Sequence, residues 1–214
     1  MRISDLSKRS GVPVATIKFY LRERILPPGT PTARNQAEYD DEHLARIRLI
    51  RILTGIGQLS LSSVREVLSA VDNKGLSLQG LCKVVNRALF SDQPDSAGPT
   101  PPAGVRSQVD GFIEQLGWQV DPNDPGRAAL AQVLSALQRL GWDCDVDIFE
   151  PYARAAEQLA VKEGTSMPGA PPSTVVARTV LFEVALAALR RMAQEHHLGQ
   201  PASRPQRSAS STRA

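Results

Sequence analysis

A short basic segment near the start of the chain constrains the fold more than any other feature. Residues 5–29, DLSKRSGVPVATIKFYLRERILPPG, contain a polar helix-forming run that meets Gly11, followed by a second run with apolar residues at helical spacing. Ser4 is a good N-cap, and glycine commonly ends a helix in a left-handed conformation. The segment therefore predicts two short helices joined by a tight turn, with the Pro-Pro-Gly sequence at 27–29 stopping the second helix.

The second helix has two chemically different sides. Val14, Ile17 and Leu21 recur at the spacing of one helical face, which predicts a core-facing row. Short hydrogen-bond donors and cations fall largely away from that row: Thr16, Lys18, Tyr20 and Arg22. Such a helix, following a first helix and a glycine turn, predicts a helix-turn-helix whose outer side suits a DNA major groove.

The next segments predict a wing and two further helices. Residues 30–39 are polar, and we interpret them as a wing hairpin with Arg34, Asn35 and Gln36 at its centre and Tyr39 at its end. Asp40 and Asp41 precede a third helix, and a fourth, within SLSSVREVLSAVD, starts at a serine cap. The unit predicted for the first part of the chain is thus a winged helix followed by a helix pair.

Charge is divided unevenly along the 214 residues. Residues 1–92 contain 14 Lys and Arg against 9 Asp and Glu, a net charge of +5, whereas residues 93–200 contain 8 against 13, a net charge of −5. A basic first half joined to an acidic second half is the pattern expected when only the first half approaches a polyanion such as DNA.

The second half shows apolar residues at helical spacing throughout, which predicts a helical bundle. The fold class expected for the whole chain is therefore mainly all-α, with a small wing hairpin in the N-terminal unit. The stretch 175–189 is apolar nearly all round, so it is either a central core helix or a subunit interface. Five segments are predicted: a DNA-binding domain at 1–72, a short connecting or dimerising helix at 73–90, a Pro-rich linker at 91–105, an all-helical domain at 106–199, and a disordered tail at 200–214.

Several classes of protein are disfavoured. No apolar leader follows Met1, and the stretch 175–189 is short for a bilayer span, so we expect a cytoplasmic protein without a membrane partner. Cys82 and Cys144 stand alone, without the ligand spacing of a metal site, and we predict no metal and no cofactor. Because no motif places a nucleophile or a general base beside a partner group, we expect no enzymatic activity and no catalytic residue.

Residues 2–72 resemble the DNA-binding domain of the MerR family of bacterial transcription regulators. The segments that carry the resemblance are RISDLSKRSGVPVATIKFYLRERILPP, EYDDEHLARIRLIRIL and LSLSSVREVL. It implies a homodimer on duplex operator DNA, with RNA polymerase as a possible partner at the promoter. With the resemblance added, the candidate DNA-binding residues are Ser4, Ala15, Thr16, Lys18, Phe19, Tyr20, Arg22, Arg34, Asn35, Gln36 and Tyr39.

Two hypotheses remain open for the second half. In the first, the helical domain binds a small effector or a partner and so regulates transcription; its candidate ligand-binding residues are Trp118, Trp142, Phe149, Tyr152 and Phe182. In the second, the chain is an architectural or adaptor protein whose bundle only mediates dimerisation or protein interaction. The family usually continues into a long dimerising helix, whereas the helix predicted at 77–90 offers only two heptads, so we expect 175–189 to supply much of the dimer interface.

Overall fold

The computed structural model describes residues 1–33, 36–91 and 100–198. It confirms the predicted fold class, because helices dominate the described residues and a two-stranded antiparallel hairpin follows the first two helices. The N-terminal elements are α1 (Ile3–Ser10), α2 (Val14–Arg22), β1 (Thr30–Ala33), β2 (Gln36–Glu38), α3 (Asp41–Arg51), a π-helical turn (Ile52–Ile56) and α4 (Leu61–Asp72).

The ends of the first two helices differ in part from the prediction. Arg2, not Ser4, is the N-cap of α1, and the Asp5 carboxylate accepts the Arg2 N–H at 3.1 Å. Gly11 ends α1 as predicted, with φ +67°. Helix α2 ends at Arg22, well before the prolines, because Arg24 takes a left-handed conformation with φ 58°. The expectation that Pro-Pro-Gly stops this helix was therefore wrong.

The caps of α3 and α4 follow the sequence signals. Asp40 caps α3 by accepting the His43 N–H at 3.1 Å, and Ser60 caps α4 by accepting the Ser63 N–H at 3.2 Å. Between them the chain passes through the π-helical turn, after which Gln58 adopts φ 53°. The turn ends α3 and redirects the chain into α4, so that both helices bury apolar faces in one core.

The remaining elements are all helical in the described residues. They are α5 (Leu78–Ser91), α6 (Ala103–Gln115), α7 (Pro125–Arg139), a 3₁₀ turn (Val146–Phe149), α8 (Glu150–Thr165) and α9 (Pro172–Leu198). Helices α6 and α7 each end at a glycine with positive φ, Gly117 and Gly141. After each glycine the backbone N–H of a tryptophan donates a hydrogen bond to the preceding helix. Trp118 donates to the Ile113 carbonyl and Trp142 to the Leu137 carbonyl.

Two hydrophobic clusters organise the packing. The first joins α1 to α5 and also includes Val175, Val176 and Val180 from the start of α9. The second is smaller and lies mainly between α6 and α7, with Ala153 of α8 at its edge. Helix α9 thus contacts α4, α5 and the π-helical turn, so the predicted 106–199 unit is divided between the two clusters. The predicted domain boundaries remain a prediction.

Helix α9 is longer than the apolar stretch at 175–189. It has 27 residues and a mean hydropathy of 1.5 in its most apolar part, so by length and composition alone it could cross a membrane. Its first turns instead pack against the N-terminal core, where Val176 and Val180 are fully buried. From Phe182 to Leu198 nearly every residue is exposed.

Some predictions fall on residues that are not described. These are the wing contacts of Arg34 and Asn35, the central part of the linker at 92–99, and the tail from residue 199 onward.

Candidate nucleic-acid interface

Helix α2 presents one continuous solvent-facing surface. Ala15, Lys18 and Arg22 are exposed at a spacing of three and four residues, and Phe19 lies half-buried between the two cations. The Arg22 guanidinium lies over the Phe19 ring, 5.4 Å from its centroid. Thr16 borders this row and is half-buried. We call Ala15, Lys18, Phe19 and Arg22 the α2 outer face; it combines an apolar patch with two cations.

The opposite side of α2 is anchored in the core. Ile17 is fully buried, and Val14 and Leu21 are half-buried. Tyr20, which the sequence analysis assigned to the DNA-facing side, is only 9% exposed. Because the fixed core residues leave α2 little freedom to rotate, the direction of its outer face is set by the N-terminal fold.

Two arginines of α3 hold the helix-turn-helix in place. Arg51 donates to the Ser10 carbonyl at 3.3 Å, which satisfies a free carbonyl at the end of α1. Arg46 donates to the Ile25 carbonyl at 3.1 Å and forms a two-pronged ion pair with Asp72 of α4, at 2.6 and 2.7 Å. The side chain of Arg46 is 13% exposed. These contacts join α3 to α1, to α4 and to the segment that follows α2. The sequence did not reveal this structural role.

The wing hairpin packs closely at its base. Thr30 pairs with Glu38 and Pro31 with Ala37 in antiparallel register. At Gly29 an added Cβ would lie 2.6 Å from the Glu38 carbonyl oxygen and 3.0 Å from the Tyr39 ring. Glycine is therefore required where the chain enters β1, which explains the last residue of the Pro-Pro-Gly sequence.

The predicted wing residues have different environments. Gln36 is exposed on β2, whereas Tyr39 is 8% exposed and packs edge-on against His43, with ring centroids 5.2 Å apart. Burial raises the pKa of Tyr39. Thr30 and Thr32 expose hydroxyl-bearing side chains on β1 and were not among the predicted contacts. The alternating TPT run was the available signal, since threonines two apart in a strand share a face.

The remaining candidate contact, Ser4, is exposed in the first turn of α1. Of the predicted DNA-binding residues that are described, those of α2 are brought together on one helix. DNA contact by each of them stays a prediction.

The predicted ligand-binding aromatics lie on five different segments of the chain. Trp118 and Phe149 pack against the second hydrophobic cluster. Trp142 is 59% exposed after α7, and Tyr152 is 54% exposed on α8. Phe182 lies on α9 beneath Arg178, whose guanidinium is 5.2 Å from its ring centroid. Ligand binding by these five residues also stays a prediction.

The cysteines lie in unremarkable surroundings for thiols. Cys82 is half-buried in α5, and burial raises the pKa of its thiol, which favours the protonated form. In the part of the chain that the structure describes, no three His, Cys, Asp or Glu side chains are close enough together to hold a metal ion.

Comparisons with known proteins agree with this geometry. Residues 1–71 match the family model described as MerR HTH family regulatory protein. The crystal structure of SCO5550 from Streptomyces coelicolor A3(2), named as a transcriptional regulator, is 36% identical and superposes with a TM-score of 0.63. That match covers 92% of this chain and 95% of SCO5550. Residues 1–71 therefore form a MerR-type helix-turn-helix domain.

Two curated relatives match less than half of the chain. The HTH-type transcriptional regulator ZntR homolog of Haemophilus influenzae is 33% identical over 89 residues, which are 42% of this chain and 65% of the relative. The HTH-type transcriptional regulator CueR of Yersinia pestis is 29% identical over 73 residues, which are 34% of this chain and 52% of the relative. The chain therefore spans less than two thirds of either curated relative. The family-model match at residues 1–71 covers the elements that orient the α2 outer face.

Proposed function

We propose that this chain is a MerR-family, sequence-specific, DNA-binding transcription regulator that acts as a homodimer in the cytoplasm. The observation that carries the proposal is the α2 outer face, where Lys18 and Arg22 flank Phe19 on a helix anchored by its buried side. A helix with cations on its outer side and an apolar inner side fits the major groove of duplex DNA.

Three of the four residues on the α2 outer face have a chemical counterpart in DNA. Lys18 and Arg22 suit guanine acceptors or phosphate oxygens, and Ala15 suits the thymine methyl group. The wing, with Thr30, Thr32 and Gln36 exposed, offers neutral hydrogen-bonding groups for the sugar-phosphate backbone beside the groove.

One α2 reads only a few base pairs, since such helices contact the groove with a few side chains. Two copies on a two-fold related operator double the number of contacts and make the site long enough to be specific. The homodimer is therefore part of the proposal.

The C-terminal helices are proposed to regulate this DNA-reading unit through α9. The helix follows α8 and lies against the π-helical turn between α3 and α4, with Val180 beside Gly57. A small effector, or a partner such as RNA polymerase, could bind better to one position of α8 or α9 than to another. Such binding would change how α9 packs against the N-terminal core. The exposed aromatics Trp142, Tyr152 and Phe182 are the proposed contacts for such a ligand.

The experiment is a mobility-shift titration of the full chain on the DNA upstream of its own gene. Lys18→Ala is expected to weaken binding by about 1–3 kcal/mol if Lys18 contacts a base, or to reduce the salt dependence by about one counterion if it contacts a phosphate. Lys162→Ala, on exposed α8, is the matched control and should bind like the wild type.

Two further results bear on the proposal. Affinity of the wild type should fall steeply with salt, because phosphate contacts release counterions. Binding that is absent, or that ignores salt, would refute DNA recognition. If Lys18→Ala binds the DNA as tightly as Lys162→Ala does, the contact surface is not on α2.

A further inference from the structure

Arg24 has a backbone conformation that its residue type disfavours. It follows α2 with φ 58°, in the left-handed region. The turn needs this conformation, because it lets the Ile25 and Leu26 N–H groups bond to the Tyr20 carbonyl at 3.1 and 3.2 Å. Glycine adopts it without steric cost, whereas a residue with a Cβ does so at a cost in free energy. The arginine side chain is therefore not needed for the turn itself.

The guanidinium of Arg24 also has no partner among the residues that the structure describes. The residue is exposed, and its side chain forms neither a hydrogen bond nor an ion pair with a described residue. Two neighbouring arginines, by contrast, have carboxylate partners: Arg46 pairs with Asp72 and Arg65 with Glu23. Backbone conformations that are rarely populated cluster at functional sites. A cation held in such a conformation therefore points to a ligand outside the chain.

Arg24 lines an open cleft between the end of α2 and the helices α3 and α4. The cleft has a volume of about 260 Å³, and we call it the Arg24 cleft. Two further guanidinium groups line it, those of Arg46 and Arg65, together with the exposed Ser69. Asp72 lines it too, but Arg46 binds that carboxylate at 2.6 and 2.7 Å.

The chemistry of the Arg24 cleft suits an anion. The three guanidinium groups are balanced by only two carboxylates, so the cleft carries a net positive charge. The free guanidinium of Arg24 presents several N–H donors in one plane, and the Ser69 hydroxyl adds an O–H donor. A phosphate group, with several acceptor oxygens, matches planar guanidinium donors better than a single-atom anion does.

The Arg24 cleft lies beside the α2 outer face. Arg22, which belongs to that face, has its Nε 4.0 Å from the Glu23 carboxylate, and the same carboxylate accepts from Arg65 at 3.3 Å. Charged side chains therefore form a continuous row from the outer face to the cleft. The sugar-phosphate backbones border the groove that a recognition helix enters, so a cation just past the end of the helix is well placed for a phosphate.

We propose that the Arg24 cleft binds a phosphate of the DNA backbone beside the groove that α2 enters, with Arg24 as the main contact. This inference deepens the proposed function and rests on it. It adds a contact that positions the chain on DNA without reading a base, because phosphates carry no sequence information. Free phosphate has the same chemistry, and the experiment separates the two sources.

The experiment compares the wild-type full chain with Arg24→Gly on the DNA upstream of its own gene and on an unrelated duplex, over a series of salt concentrations. Each lost phosphate contact lowers the slope of log K against log salt by about 0.9. At 0.1 M salt that slope corresponds to a loss of affinity of about eightfold per copy of the chain. Both duplexes should lose the same factor, because the contact is not specific for sequence.

Stability provides a second readout on the same variant. Glycine relieves the left-handed strain, so the urea midpoint of Arg24→Gly should lie above that of the wild type. A gain in stability together with a loss of DNA affinity cannot come from damage to the fold. Arg24→Lys keeps the positive charge and should keep the salt slope of the wild type. Lys74→Gln removes one exposed positive charge outside the cleft and is the control for net charge, with little change expected in the slope.

Several outcomes would overturn the inference. Wild-type affinity and slope in Arg24→Gly would exclude the phosphate contact, and a loss confined to the upstream DNA would make Arg24 a base contact instead. A lower urea midpoint for Arg24→Gly would show that the arginine supports the fold. A rise in the unfolding temperature of the wild type in inorganic phosphate over chloride at equal ionic strength, absent in Arg24→Gly while the DNA slope is unchanged, would assign the cleft to free phosphate.

The salt series keeps this inference apart from the proposed function. A steep slope that the wild type and Arg24→Gly share contradicts only the phosphate contact in the Arg24 cleft. A wild type that binds neither duplex contradicts the proposed function and, with it, the inference.

Discussion

Replacing Gly57 with alanine tests how tightly α9 is joined to the DNA-reading unit. A Cβ added at Gly57 would lie 2.5 Å from Cγ1 of Val180 and 2.9 Å from the Leu53 carbonyl oxygen. Both distances are shorter than real Cβ contacts, so α9 or the π-helical turn must move. The backbone of Gly57, with φ −74° and ψ −15°, is open to alanine, so the cost comes from the contacts.

The magnitude follows from the kind of change. Forcing an extra methyl group into a packed core costs typically 1–3 kcal/mol. We expect Gly57→Ala to lower the free energy of unfolding by about 2 kcal/mol, measured by urea denaturation of the full chain. Gly55→Ala is the matched control in the same turn. An added Cβ there meets no atom within 4 Å, so its stability should stay near that of the wild type.

A second substitution assigns the cost to α9. Val180→Ala removes the methyl group that collides with the new Cβ, so the double variant should lose less stability than the two single variants together. For residues in direct contact, the coupling is expected to be about 0.5–3 kcal/mol. Equal stability of the Gly57 and Gly55 variants, or strict additivity with Val180→Ala, would refute the close packing of α9 on the turn.

Two other predictions concern the N-terminal unit. Arg46→Met keeps the aliphatic stem but removes the ion pair with Asp72 and the hydrogen bond to the Ile25 carbonyl. We expect it to lower the free energy of unfolding in urea by about 1–3 kcal/mol. Arg48→Met, at an exposed position of the same helix, is the control and should have little effect. Two hydrogen bonds hold the pKa of Asp40 below its ordinary value: the larger effect comes from the His43 side chain and the smaller from the His43 backbone N–H. Because the pKa of Asp40 is lower in the folded state, its stabilisation is fully present above the unfolded pKa of about 4 and is lost as pH falls through the folded pKa. Asp40→Asn should remove this contribution, so the free energy of unfolding of the variant should depend less on pH in the acidic range.

Local signals in the sequence predicted most of the N-terminal architecture. Gly11 at the end of α1 and the caps Asp40 and Ser60 act through their own backbone neighbourhood, so the residue type alone carried the information. The end of α2 was missed because Arg24 adopts a left-handed conformation that arginine rarely takes. That conformation lets the Ile25 and Leu26 N–H groups bond to the Tyr20 carbonyl, and Ile25 and Leu26 become core residues.

Long-range packing accounts for what the sequence did not predict. Tyr20 is polar at one end and aromatic at the other, and the pattern alone could not decide which part the tertiary structure would use. Helical spacing in α3 carried no signal that Arg46 would pair with a carboxylate 26 positions away. In the C-terminal half, helical periodicity predicted each helix, but it carried no information about which cluster α9 would join.

The seating of α9 has a consequence for synthesis of the chain. Met167, Val175, Val176 and Val180 complete a core whose other buried members lie in the first ninety residues, so the core stays unfinished until about ninety further residues have been added. At about 5–20 residues per second the wait is roughly 5–18 s. During that interval the strip around the π-helical turn and α5 is open to other apolar segments, and a chain that stops before α9 never closes it. The DNA-reading unit therefore acquires its finished core only after Val180 has been added to the chain.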